Sequence, residues 1–450
     1  MRVVVAAIAA LALLCSAAPV MAQSGAVPPS THGSALVYDS EYPFIDYSGQ
    51  PAHNDVARLS ARLQRGEIKL EFRTPRGYLD SLLQALRIDP SSQTLVFSKT
   101  SLQASAITPT TPRAIYFNDD TYVAFVANTG VIEISTMDSA LGAVFYTMDN
   151  RNPASVHVER ETLRCLVCHD TFSLGGGGVP SFLFLSAYGR QAGELLTKTV
   201  AVPTTDETAL TDRWGGWYVT GDSGGLKHLG NILPSDAGVR LDRIRYATPE
   251  RVEGLESVQP YPTDKSDIVA LLVFEHQVYI HNLIVHANFK SRMLLEKDSP
   301  GGSTTARQWS ALQDVTRSRM TALLEPLVRA MLFVNAAGLP THVRSGSGFD
   351  RWFESRGPRD SRGRSLRDLD LNTRVFKYPL SFLIYTEGFD DLPAPAKEYV
   401  YRRLAQVLTG QDTSGEFCAI QPADRAASLE ILVATKPEFA SFYRAFNTRS

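Results

Sequence analysis

Two thiols and an imidazole fall within five consecutive residues, Cys165, Leu166, Val167, Cys168 and His169. This C-x-x-C-H order is the attachment pattern of c-type haem. The chemistry explains the spelling. The thiols add across the two vinyl groups of the porphyrin, and two intervening residues set their spacing. The adjacent His169 then supplies a neutral nitrogen as the proximal axial ligand of the iron. At this composition the pattern is expected by chance roughly 0.0007 times. Two other chemistries use a C-x-x-C. A redox dithiol of the thioredoxin type belongs in a βαβ setting, which the surrounding sequence lacks. Zinc needs a second ligand pair, and only Cys418 and scattered histidines are left to provide one. The expected cofactor is therefore one covalent haem c, held by Cys165, Cys168 and His169.

The sixth iron position is harder to assign. A small class I cytochrome c takes a Met some tens of residues after its His. Here the next Met is Met293, 124 positions on. His228 and His276 are the distal candidates, with Met293 behind them. His276 and His281 are five apart, about 140° around a helix, so one face cannot offer both to one metal. The run Arg213-Trp214-Gly215-Gly216-Trp217-Tyr218 either walls a haem crevice, with Arg213 on a propionate, or packs as a hairpin. Gly175 to Gly178 either let backbone pass close to a flat group or form a turn.

Those residues need elements to hold them. Residues 1–22 read as a secretory signal: Arg2, an apolar stretch, then Val20-Met21-Ala22 at the cleavage point. Export to the periplasm suits haem attachment, which takes place outside the cytoplasm. Residues 23–110 read as a lead-in with helices at 56–64 and 78–86 and a short strand at 95–97. Residues 111–262 are β-rich and carry the motif. Short β-branched and aromatic runs at 114–117, 121–126, 131–135 and 143–147 are separated by Asn-Asp-Asp and Asn-Thr-Gly turns. Residues 263–450 are mainly helical, with helices expected at 264–290, 303–335, 395–409 and 424–434, and a charged loop at 347–367. The fold class is α+β, with a β-rich haem-bearing N-terminal half and a helical C-terminal half, not the compact class I cytochrome c fold. Stretch 268–289 is apolar, but Glu275, His276, His281 and His286 interrupt it, so no membrane span is expected in the mature chain.

Composition removes other classes. Lys+Arg 45 against Asp+Glu 47 leaves no positive excess for nucleic acid. Apolar content of 44% is too high for a disordered chain. After the signal, three Cys cannot all pair, so the protein is no disulfide scaffold, and Cys418 reads as a small apolar residue.

Five stretches together resemble large exported bacterial cytochrome c-like proteins with a single haem motif. They are 92–103 (SQTLVFSKTSLQ), 116–120 (YFNDD), 165–169 (CLVCH), 213–221 (RWGGWYVTG) and 377–385 (KYPLSFLIY). The likeness spans most of the mature chain and implies haem c and export, but no reaction. In such relatives the Pro-Leu-Ser at 379–381 often reads Pro-Cys-Ser; Leu380 here implies that a thiol at that place is dispensable. The expected function is electron transfer between redox partners, an electron donor or acceptor protein. The alternative is a haem-dependent oxidoreductase of the peroxidase or oxygenase type, with an open sixth position and a small redox substrate. Its motive is size, since the chain is several times longer than a haem needs.

Overall fold

The computed structural model describes residues 42, 45–170, 177–187, 189–190, 196–197, 201–233, 248–253, 260–300 and 308–448. The signal and most of the lead-in to residue 41 lie outside the described residues, as do Gly175 and Gly176 of the glycine run.

Alternating β-branched and aromatic runs joined by short turns build an antiparallel meander. Its strands are β1 (Thr94–Val96), β2 (Arg113–Phe117), β3 (Thr121–Val126), β4 (Val131–Asp138), β5 (Gly142–Asp149) and β6 (Val158–Glu161). All four runs expected between 111 and 150 are strands. Strand β1 comes from the 23–110 stretch and pairs with β2, so the sheet crosses the 110/111 boundary. Register decides which side chains share a face. Phe117, Tyr122, Ser135, Phe145 and Glu161 are successive partners across β2 to β6. Ile115, Ala124, Glu133 and Thr147 form the neighbouring row across β2 to β5. Because side chains alternate, both rows point to one side of the sheet.

Helices α1 (Asp55–Gln64) and α2 (Leu79–Ala85) precede the sheet and bond to it. Asn54, the N-cap of α1, accepts from the Tyr146 hydroxyl at 3.1 Å, and Asn150 accepts from the Tyr78 backbone N–H at 2.7 Å. After β6 comes the single turn α3 (Leu166–His169).

Helix α4 (Ile268–Asp298) has 31 residues. Asp267 caps it, its side chain accepting from the Val269 and Ala270 N–H groups, so the helix starts four residues after the expected 264. It is long and apolar enough to cross a membrane by length and composition, but 83% of its most apolar window is buried inside the protein. Phe274 stacks on Phe117 of the sheet, ring centroids 5.0 Å apart. The remaining helices are α5 (Asp314–Met331), α6 (Phe349–Glu354), α7 (Glu387–Asp390), α8 (Ala394–Leu408), α9 (Pro422–Thr435) and α10 (Pro437–Asn447). Helix α5 packs on α4 and α8, and α8 packs on α9 and α10. Residues 38–450 cluster as one compact unit.

The architecture is α+β: an antiparallel sheet in the N-terminal half, helices in the C-terminal half, and no compact cytochrome c fold. Two expectations change in detail, and one element was unexpected. The charged 347–367 loop contains α6 and ends at Arg367, which is buried over the Phe353 and Phe382 rings. Helix α10 had no expectation attached. Cys418 is exposed while its neighbours Phe417 and Ile420 are buried, so it is not a core residue.

Candidate cofactor site

Strand β6 delivers the chain straight into α3. Glu161, buried at the end of β6, accepts from the Thr147 hydroxyl of β5 at 2.7 Å and pairs with Arg164 just ahead of the motif. One helical turn does the rest. At ~100° per residue, positions i, i+3 and i+4 share a face, which sets Cys165, Cys168 and His169 on one side. Leu166 is buried away from them and Val167 is exposed. The turn closes through His169 N–H and Asp170 N–H, which donate to the Cys165 and Leu166 carbonyls at 3.1 Å each.

That face opens on a cavity of about 490 Å³ lined by Cys165, Cys168 and His169. This lies in the ~300–1,000 Å³ range of cofactor pockets. The floor is the sheet face: Ile115, Tyr122, Ala124, Ser135, Phe145 and Thr147 all line it. Phe182, Leu185, Trp217 and the α4 residues Phe274 and Val278 close the other side. Charged groups at the wall are Lys99, Arg113, Glu133 and Arg164. Arg113 gives Nη1 to Glu133 at 3.3 Å, and its buried Nε has no acceptor.

His169 is fixed at two points. The Ser181 N–H donates to its carbonyl at 2.8 Å, and its Nδ1 lies 2.7 Å from the Ser181 carbonyl oxygen. A carbonyl only accepts, so Nδ1 carries the proton and Nε2 keeps the lone pair. Burial pulls the imidazole down to about 4, so it is neutral. A ligating histidine needs both properties, an anchored far nitrogen and a neutral ring. Phe145 packs against the ring, centroids 4.4 Å apart. Ser181 is held in turn by α4, because Asn282 accepts from the Phe182 N–H at 2.8 Å and donates to the Phe182 carbonyl at 2.9 Å.

The distal candidates lie elsewhere. His228 is buried, its Nδ1 accepts from the Gly230 N–H at 3.0 Å, and it packs edge-on to Trp214. His276 has both nitrogens committed, Nδ1 2.7 Å from Asp206 Oδ2 and Nε2 2.8 Å from Ser381 Oγ. Neither lines the cavity, and Met293 does not either. Asp206, His276 and Ser381 stand at the distances of an acyl-transfer triad, yet Ser381 is fully buried and none of the three reaches the cavity. The aromatic run divides: Trp217 is cavity wall, whereas Arg213 pairs with Glu275 of α4 at 2.9 Å.

The donor set bears on the two competing chemistries. Burial pushes the Cys165 thiol up to about 12, opposite to the lowered value of a reactive dithiol. Among the described residues no group of three or more His, Cys, Asp or Glu could hold a metal ion. Tyr122, Arg113, Ser181 and Asn282 carried no local signal in the sequence, because register and long-range backbone bonds bring them to the site. No family model, curated protein or solved structure matches the chain.

Proposed function

We propose that the chain is an exported, periplasmic c-type haem protein that passes electrons between redox partners, with Cys165 and Cys168 holding one haem and His169 as its axial ligand. The observation that carries this reading is that both thiols and an anchored, neutral imidazole open on one largely apolar cavity. Bound there, haem supplies a one-electron iron couple. The chain's own contribution is positional. The Ser181 carbonyl keeps the His169 lone pair on Nε2. Phe145, Phe182, Trp217 and Phe274 exclude water. Arg113, with an unused buried N–H, suits an anionic group such as a propionate.

A protein partner is favoured by the surface. Of the five large apolar side chains most exposed among the described residues, Leu102, Leu163 and Val167 lie on the cavity wall or beside the motif, and Val202 follows the lining residue Ala201. Apolar groups exposed beside the motif and the cavity suit a contact surface.

A second reading, a haem-dependent oxidoreductase with an open sixth position, is favoured by a different observation. The described cavity lining has no second imidazole and no thioether. Optical spectra with carbon monoxide decide between them. A ferrous protein that leaves carbon monoxide unbound supports transfer, and one that takes it at once, with peroxide-dependent dye oxidation, supports the enzyme. Mass spectrometry of mature protein made beside a haem-attachment system tests both. A mass without one added haem ends both.

A further inference from the structure

Tyr122 belongs to the cavity wall, yet its hydroxyl points into a buried polar network that nothing above uses. Gln277 of α4 gives its two side-chain N–H groups to the Asn118 carbonyl at 2.7 Å and to the Tyr122 oxygen at 2.9 Å. The Tyr122 oxygen is an acceptor there, and His281 Nδ1, 3.0 Å away, is placed to accept the Tyr122 proton. With Nδ1 accepting, a neutral His281 carries its proton on Nε2. That N–H faces Asp120 Oδ1 across 3.8 Å. Both atoms are buried and neither has another hydrogen-bond partner. A donor and an acceptor left alone and facing each other, just beyond bonding distance, are one small side-chain adjustment from a bond. His281 is fully buried, whereas the Asp120 side chain is one-third exposed.

We propose that Tyr122, His281 and Asp120 form a proton-linked relay between the cavity and solvent, so that a change of charge on the group bound in the cavity is matched by release or uptake of one proton at Asp120. This rests on the haem reading above and deepens it. In one state Asp120 is a carboxylate. It draws in the His281 Nε2–H, which makes Nδ1 more basic and pulls the Tyr122 proton toward it. The phenol oxygen behind the cavity wall thereby gains negative character and stabilises an oxidised, more positive group. In the other state Asp120 binds a proton from solvent, the contact opens and that stabilisation weakens. No electron leaves the relay; the one proton moves between the Asp120 carboxylate and water. Linkage makes the coupling reciprocal, so oxidation favours proton loss and reduction favours proton gain.

The surroundings suit the role. Asp119, the residue before, is a carboxylate ion-paired with Arg367 at 2.5 Å and Arg356 at 3.6 Å. Asp120 faces Asp119, Asp55 of α1 and Glu387 of α7, against Arg367 and the Arg58 side chain of α1. Burial first, and then Asp119, push it up to about 7. His281 faces Asp119 and His276, and burial pulls it down to about 3, so it stays neutral.

Two measurements test the relay. In the haem-free chain, ¹⁵N spectra of the histidines are expected to show His281 as the Nε2–H tautomer. An Nδ1–H tautomer overturns the relay whether or not haem ever attaches. In the haem-loaded protein, the midpoint potential is expected to fall as pH rises from roughly 6 to 8, around the Asp120 value of about 7. Asp120→Asn should abolish the slope, and the isosteric Tyr122→Phe should reduce it. A wild-type potential that ignores pH, or an Asp120→Asn protein with the wild-type slope, overturns the relay while leaving haem attachment intact. Failure of haem to attach ends the haem reading instead, and the tautomer still decides the relay.

Discussion

Asn282→Ala removes the clamp between α4 and the segment that orients His169. Asn282 makes two bonds to one residue, accepting from the Phe182 N–H and donating to the Phe182 carbonyl. Each is worth about 0.5–1.5 kcal/mol net, and a buried backbone group left unpaired costs about 1–3 kcal/mol. Phe182 is 3% exposed, so water reaches its N–H and carbonyl poorly. The expected loss is about 2–4 kcal/mol, a large part of the ~5–15 kcal/mol that holds a typical fold. Urea denaturation of the haem-free chain measures it as a shift in midpoint at constant slope. The local consequence is separate. Ser181 precedes Phe182, so the Ser181 carbonyl should hold His169 less firmly, and the His169 Nδ1–H proton should exchange with water faster in NMR spectra. Asn282→Asp keeps the acceptor but turns an oxygen toward the Phe182 carbonyl. It should lose at least as much at pH 7 and recover as pH falls and the carboxyl protonates. A loss below about 0.5 kcal/mol in Asn282→Ala, with unchanged exchange at His169, refutes the positioning role.

Other outcomes follow from the same contacts. Arg213→Met strands the fully buried Glu275 carboxylate and should cost about 3–5 kcal/mol at pH 7, measured by denaturation. Burial already holds Glu275 above the ordinary carboxyl range. A carboxyl raised in the native state disfavours folding above its native value, so the variant should regain stability as pH falls through that value toward the ordinary ~4.3. No recovery on acidification would count against the assignment. If haem is attached as proposed, His169→Ala should keep it on the two thiols but change the iron absorption bands, whereas His228→Ala, outside the cavity lining, should leave those bands in place. Gly142 has φ +74°, and a Cβ there would stand 2.5 Å from Val285 Cγ1 of α4. Gly142→Ala should therefore destabilise by about 1–3 kcal/mol, and a neutral thermal scan would refute the close approach.

Local order was legible in the residues; long-range placement was not. Residues 121–126 and 131–135 read as strands because Tyr, Val, Phe and Ile alternate between turn residues, and they are strands. The C-x-x-C-H motif singled out its two thiols and imidazole, and the helical turn that gives them one face came from the structure. What escaped is what register and tertiary contact decide. Nothing near Tyr122 says that it lines the same floor as Phe145, because that follows from two strand pairings through Ser135. His228 and His276 were plausible as ligands because histidine is a common one, but each had a closer claim: the Gly230 N–H for one, Asp206 and Ser381 for the other. The charged 347–367 stretch read as a loop because Arg, Asp and Gly dominate it. Phe349 and Phe353, four apart, were the overlooked helical signal, and both are buried in α6.

The polar residues of α4 explain why so long a chain surrounds one small cavity. In the sequence, Glu275 and His281 mattered chiefly as interruptions of an apolar stretch, and His276 also as a candidate iron ligand. In the fold, these polar positions grip the cavity wall or residues close to it in sequence. Glu275 takes Arg213, four residues before Trp217. Gln277 and His281 take the hydroxyl of Tyr122. Asn282 takes the backbone of Phe182, beside the anchor of His169. Apolar packing is non-directional and would tolerate sliding between the helix and the sheet. Buried hydrogen bonds do not, because a shift of one ångström leaves donors and acceptors unpaired. The proposed haem would need His169 Nε2 aimed at its iron, which calls for that kind of registration, and an all-apolar α4 would bury as much surface while fixing none of these contacts.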